Sequence, residues 1–216
     1  MLRNAVLISL SGLHGSGKTS LSEYIRREFQ RRGVECKTVY LGGWHTFEYV
    51  KLPLSKALAL VGLEEQDERV RLLLSKVLPL IFLIQYTLYF FYKTRSILFS
   101  RRKTLCIVDR YIVDCLVELS ILTNDGNFSE TIIGNHLLSF PRPELSFHLD
   151  TEESLVVQRK KDERHELSEL ARRRQLYKLF ARQFNIYTIN TTTMSLLRIK
   201  NQLVRMIEEA LENGAN

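Results

Sequence analysis

The sequence predicts an α/β domain built on a five-stranded parallel sheet flanked by helices. Three features carry that expectation. Short apolar runs of strand length alternate with longer helical patterns along the chain. The first run, Asn4 to Leu10, shows no polar alternation, as a parallel strand covered on both faces should. That run stops at "SGLHGSGKTS", a glycine-rich loop that opens onto a helical pattern.

The elements follow in order. Lys18 to Arg32 reads as a helix stopped by Gly33, and Val34 to Leu41 as the second strand. Leu54 to Val61 and Glu65 to Lys76 read as helical. From Val77 to Tyr92, "VLPLIFLIQYTLYFFY", only Gln85 is strongly polar. Leu105 to Val108 is the third strand, Ile112 to Thr123 a helix, and Leu145 to Leu149 the fourth strand. Glu152 to Lys161 and Leu167 to Phe184 are helical, Ile186 to Ile189 is the fifth strand, and Ser195 to Glu212 is the closing helix. No Pro- or Gly-rich linker, repeat or low-complexity block divides the 216 residues, so one domain is expected over 1–216.

At 45% hydrophobic the chain can bury a large core. With a strand and a glycine loop at the N-terminus, no signal peptide is expected. The three cysteines, Cys36, Cys106 and Cys115, have no metal-ligand spacing, and an odd number suggests reduced thiols in a cytoplasmic protein. A net charge of +7 favours anionic partners. Nothing resembles a zinc finger or an RNP-type aromatic motif, so nucleic acid is not expected.

Gly12-Leu13-His14-Gly15-Ser16-Gly17-Lys18-Thr19 matches G-x-x-x-x-G-K-[ST]. Glycines let backbone N–H groups turn around phosphate oxygens, and the following helix aims its dipole at the same charge. Lys18 is expected to reach the β- and γ-phosphates and Thr19 to ligate Mg²⁺; Gly12, His14, Gly15, Ser16, Gly17 and Ser20 complete the expected ATP contacts. "LCIVDRYIVD" puts Asp109 at the end of an apolar strand, where an acid can hold the Mg²⁺ water shell or orient an acceptor oxygen. Arg110 beside it can clamp a phosphate.

With these residues in view, the chain resembles the thymidylate kinase family of P-loop nucleoside monophosphate kinases. The P-loop, "DRY" at Asp109-Arg110-Tyr111, "LDT" ending a strand at Asp150 and a basic stretch after it fall in family order over nearly the whole chain. The resemblance implies a P-loop NTPase fold with a lid at about 158–170. It also implies transfer of the γ-phosphate of ATP to a nucleoside monophosphate, with dTMP the family default, and a homodimer. It gives Arg110 the acceptor phosphate and Asp109 the metal and phosphates. Arg159 and Arg164 match the basic positions of the family's lid and are expected to be catalytic, with Lys161 a further match. Arg172 to Arg174 and Tyr177, farther along, are expected to be exposed, with contact to acceptor or nucleotide the alternative.

Departures concentrate at the acceptor side. The family carries an acid at His14, which here is expected to be exposed or a weak phosphate contact. It also carries an arginine-glutamate-proline motif where this chain reads "YLGGWHTFEYVKLP". Trp44, His45 and Phe47 could stack on an acceptor there. The family's serine and glutamine after "DRY" are Asp114 and Glu118. A carboxylate at Asp114 would bind a sugar hydroxyl or base N–H, or sit on a helix surface. These departures keep two alternatives open, a kinase for a non-nucleotide acceptor and a nucleotide-binding, membrane-associated protein. The apolar stretch, interrupted by Lys76, Pro79 and Gln85, is expected to be a buried core or dimer helix. A membrane-facing role is the alternative, with the basic "KTRSILFSRRK" against anionic lipid.

Overall fold

A computed structural model describes residues 5–41, 68–98, 104–159 and 166–213, without the side chains of 68–76, 95–98 and 213. The expected helix at 54–61, the stacking candidates Trp44, His45 and Phe47, and the lid residues Lys161 and Arg164 lie outside the described residues.

Five parallel strands form one sheet in the order β2-β3-β1-β4-β5. They are β1 (Ala5–Gly12), β2 (Glu35–Tyr40), β3 (Thr104–Asp109), β4 (Leu145–Asp150) and β5 (Tyr187–Asn190). The expected fold class holds at this level. Every residue of β1 is buried, because alternate side chains serve two cores. Ala5 and Leu7 join one apolar cluster, and Val6, Ile8 and Leu10 join the other.

The second cluster is closed by α1 (Lys18–Arg31) and α7 (Leu196–Asn213). Leu21, Ile25 and Phe29 recur every four residues on α1 and face Ile199, Leu203 and Ile207 of α7 in that core. The first cluster is closed by α2 (Glu68–Leu98), α3 (Ile112–Thr123) and α6 (Leu167–Gln183). All three cysteines are free and buried in these cores.

Two findings depart from expectation. The apolar stretch is part of one 31-residue helix, α2, that runs through Pro79, and it is only half buried. Leu78, Phe82, Tyr86 and Phe90 pack inward, with Phe90 edge-on to Phe140 at 5.0 Å. Leu80, Ile84, Leu88 and Phe91 are exposed. One face is thus core, as expected, and the core supplies no partner for the second. The second departure is a short helical pair between β3 and β4, a 3₁₀ turn Phe128–Glu130 and α4 (Ile132–Leu138), where the sequence carries no long period. The remaining helix, α5 (Glu153–Arg159), follows β4.

Candidate active site

The parallel register aligns the carboxyl ends of β1 and β3. Leu10 sits opposite Asp109, and the Arg110 N–H continues the ladder onto the Leu10 carbonyl at 3.0 Å. The connection leaving β1 goes to one side of the sheet and the one leaving β3 to the other, so a crevice opens between them.

The glycine loop fills the mouth of that crevice. Gly12 has φ 139°, and a Cβ there would lie 2.6 Å from the Leu149 carbonyl oxygen of β4. Gly17, at φ 96°, has open space around it and is needed for its conformation alone. The loop wraps Lys18 rather than exposing it. The Lys18 ammonium donates to the carbonyls of Gly12 at 2.8 Å and Leu13 at 2.7 Å. Burial pushes the Lys18 pKa down to about 8, and Arg110 adds to the shift while Asp114 and Asp109 oppose it.

Thr19 Oγ1 donates to Asp109 Oδ2 at 2.8 Å. The other carboxylate oxygen, Asp109 Oδ1, is buried without a hydrogen-bond partner. A hydroxyl and a buried carboxylate with a spare oxygen, at the mouth of a phosphate-type loop, fit a Mg²⁺ ion that takes its other ligands from phosphate and water.

Arg110 stands over this pair at a left-handed φ of 65°. Its guanidinium meets His14 Nδ1 at 2.9 Å and approaches Asp114 Oδ1 to 3.9 Å. Asp114 is fully buried and is not among the residues lining the cleft. It accepts from the Tyr111 N–H at 3.2 Å, which caps α3, and from the Tyr177 hydroxyl at 2.8 Å. Burial raises its pKa to about 6, against the pull of Arg110, Lys18 and the Tyr177 hydroxyl. Asp114 is therefore a support beneath Arg110, neither a surface acid nor a wall of the cleft. Tyr111 is likewise buried, its hydroxyl donating to the Pro141 carbonyl at 2.8 Å.

The α6 residues expected to be exposed are mostly engaged. Tyr177 is 2% exposed. Arg174 grips Asp150 through two bonds of 2.5 and 3.1 Å, and Lys178 adds a third contact at 3.3 Å. Burial works to raise the Asp150 carboxyl, and those cations outweigh it and hold its pKa below the usual value. Arg173 pairs with Glu118 and Glu169. Arg172 alone is exposed, and it still donates to Asn124 at 2.5 Å. Tyr177 is buried and Arg173 and Arg174 are half-buried because α6 packs on β4 and α3, a tertiary contact that no local pattern announces. Behind Tyr177, His148 of β4 stacks at 5.4 Å with neither ring nitrogen hydrogen-bonded, and burial pushes its pKa down to about 4.

The cleft has a volume of about 800 Å³. It brings together His14, Gly15, Ser16, Gly17, Lys18, Thr19 and Ser20 with Asp109, Arg110 and Arg159. Arg159, the last residue of α5, donates to the Gly15 carbonyl at 3.2 Å, over the loop. The sequence reading missed the far wall, Thr191, Met194, Leu196 and Ile199. The signal for it was the Asn-Thr-Thr-Thr turn that follows the fifth strand, on the carboxyl edge where such crevices form. No protein-family model and no curated protein matches the chain.

Proposed function

We propose that the chain is an ATP-dependent phosphotransferase of the P-loop kind, passing the γ-phosphate of ATP to a nucleoside monophosphate, with dTMP the first acceptor to try. The observation that carries the reading is one juxtaposition. The loop-wrapped Lys18, the Thr19–Asp109 pair with its spare oxygen, and Arg110 all meet at the carboxyl edge of a parallel sheet.

In this reading the loop amides and Lys18 bind the triphosphate, and Thr19 and Asp109 hold Mg²⁺, which supplies charge neutralisation at the phosphates. Arg110, steadied by Asp114, holds the acceptor phosphate. Arg159 swings from the Gly15 carbonyl toward the transferring group and stabilises its charge. Met194, Leu196 and Ile199 offer an apolar wall to the base. The bond from the γ-phosphorus to the bridging oxygen breaks, the bond to the acceptor oxygen forms, and ADP leaves. Positioning and electrostatics suffice without a covalent intermediate.

Coupled ADP release with Mg-ATP and a panel of dTMP, dUMP, UMP, CMP, AMP and GMP tests this. One monophosphate should stimulate release strongly, and Lys18→Ala should remove that stimulation by about 100-fold or more. Tight ATP binding without stimulation by any of the panel overturns the nucleotide acceptor and turns the search to non-nucleotide ones.

A further inference from the structure

The exposed face of α2 is the largest feature that phosphotransfer leaves unused. Leu80, Ile84, Leu88 and Phe91 are 51%, 54%, 67% and 56% exposed. Spaced four, four and three apart, they form one stripe about 16 Å long. The opposite face of the same turns is anchored in the core through Phe82, Tyr86 and Phe90. A helix apolar on both faces and covered on one has an unfilled partner.

Charge identifies that partner. From Arg69 to Val108 the chain holds eight Lys and Arg residues and no Asp or Glu, while the whole chain carries +7. The excess positive charge thus belongs to α2 and the segment after it, and the rest is close to neutral. Arg69, Arg71 and Lys76 precede the stripe, and Lys93, Arg95 and the Arg101-Arg102-Lys103 run follow it. A second copy seated there by a two-fold axis would bring like charge to like, with only Glu68 and the three acids just before it to answer eight cations. Nucleic acid would answer the charge and leave the aliphatic stripe in water. An anionic lipid surface answers both.

We infer that α2 is an interfacial membrane anchor, lying in the plane of an anionic bilayer with its Leu80–Phe91 stripe among the acyl chains and its flanking cations at the headgroups. It does not span. The window Val77–Thr94 is long and apolar enough by composition, but its Phe82–Tyr86–Phe90 side is committed to the core. The inference is independent of the phosphotransfer reading.

Flotation of the full chain with vesicles decides it. Binding is expected to phosphatidylcholine vesicles containing phosphatidylglycerol, weak to phosphatidylcholine alone, and reduced by salt. Replacing Arg101, Arg102 and Lys103 by Gln should lower partitioning by about 5-fold per cation. The double variant Ile84→Glu, Leu88→Glu should abolish binding with an unchanged circular dichroism spectrum, since both sites are exposed. As a fold-neutral alternative, Phe91→Trp should be quenched by brominated acyl chains, after subtraction of the signal from the single native tryptophan, Trp44. Equal affinity for neutral and anionic vesicles, no quenching, or a dimer by light scattering that the glutamate pair disrupts while vesicles are ignored would each overturn it.

Discussion

Arg110 holds a backbone conformation, φ 65°, that costs a non-glycine residue about 1–3 kcal/mol and persists only where surroundings enforce it. The Arg110 N–H bond to the Leu10 carbonyl holds that backbone, and Asp114 approaches the guanidinium, itself fixed by the Tyr111 N–H and the Tyr177 hydroxyl. The Asp114 pKa of about 6 lies above its ordinary 3.8, so the folded protein holds the extra proton between these values. Its charged form subtracts stability as pH rises through that window, and Asp114→Asn should leave the protein folded at pH 7. Kinetically, Asp114 acts through Arg110. Asp114→Asn should raise the acceptor KM about 10-fold with the ATP KM unchanged. Below pH 6 the parent should lose acceptor kcat/KM on top of the acceptor's own phosphate titration, and the variant should show only the latter. A variant with the parent's acceptor KM and acid limb would reduce Asp114 to a helix cap. The motif residues were legible because each has a type-specific task at a fixed spacing. The Tyr177–Asp114 bond was not, since it joins residues 63 apart through packing alone.

At the scale of elements, the strands and long helices were readable because period and burial agree along them. Ile112 to Thr123 was read to the residue. The α4 pair was missed because seven residues hold too little period to register. A local signal did exist, in Thr131, whose hydroxyl accepts from the Gly134 N–H at 3.0 Å and caps the helix. Gly134 then shows where packing outweighs propensity. Alanine is about 1 kcal/mol better than glycine inside a helix. A Cβ on Gly134, however, would sit 2.2 Å from the Phe128 carbonyl oxygen and 2.8 Å from the Ser129 Cα. Both are backbone atoms, so α4 must lift off the 3₁₀ turn, at about 1–3 kcal/mol. Gly134→Ala should therefore lower the urea midpoint, corresponding to a net loss of up to about 2 kcal/mol. A raised midpoint would show that the pair is loose enough to separate freely.

Across the whole molecule the sheet gathers the glycine loop, Asp109 and Arg110 at one edge, and α2 leaves an apolar face exposed on another element. The first was legible as a motif. The second was visible as composition, but which half of α2 is exposed depends on what the core leaves uncovered. The glycine-loop edge also ties stability to pH. In the free protein the Lys18 pKa is about 8, below its ordinary 10.5. The folded state therefore binds fewer protons than the unfolded one between those values, and its stability gains as pH rises through them. A triphosphate in the loop reverses the preference, because it stabilises the charged lysine. Below pH 8 the ammonium is already protonated and binding is pH-independent. Above pH 8 each unit of pH should weaken Mg-ATP by up to about 10-fold, since the proton must be taken up. At pH 7 and 100 times Kd, the nucleotide should add about 2.7 kcal/mol of stability, a Tm rise of roughly 5–11 °C for a chain of this size. At pH 9.5 and the same nucleotide concentration the rise should shrink to less than half. In Lys18→Ala both the rise and its pH dependence should be lost. A shift of equal size at both pH values in the parent would mean that Lys18 stays charged in its nest of carbonyls and that the loop is organised for the phosphate before the phosphate arrives.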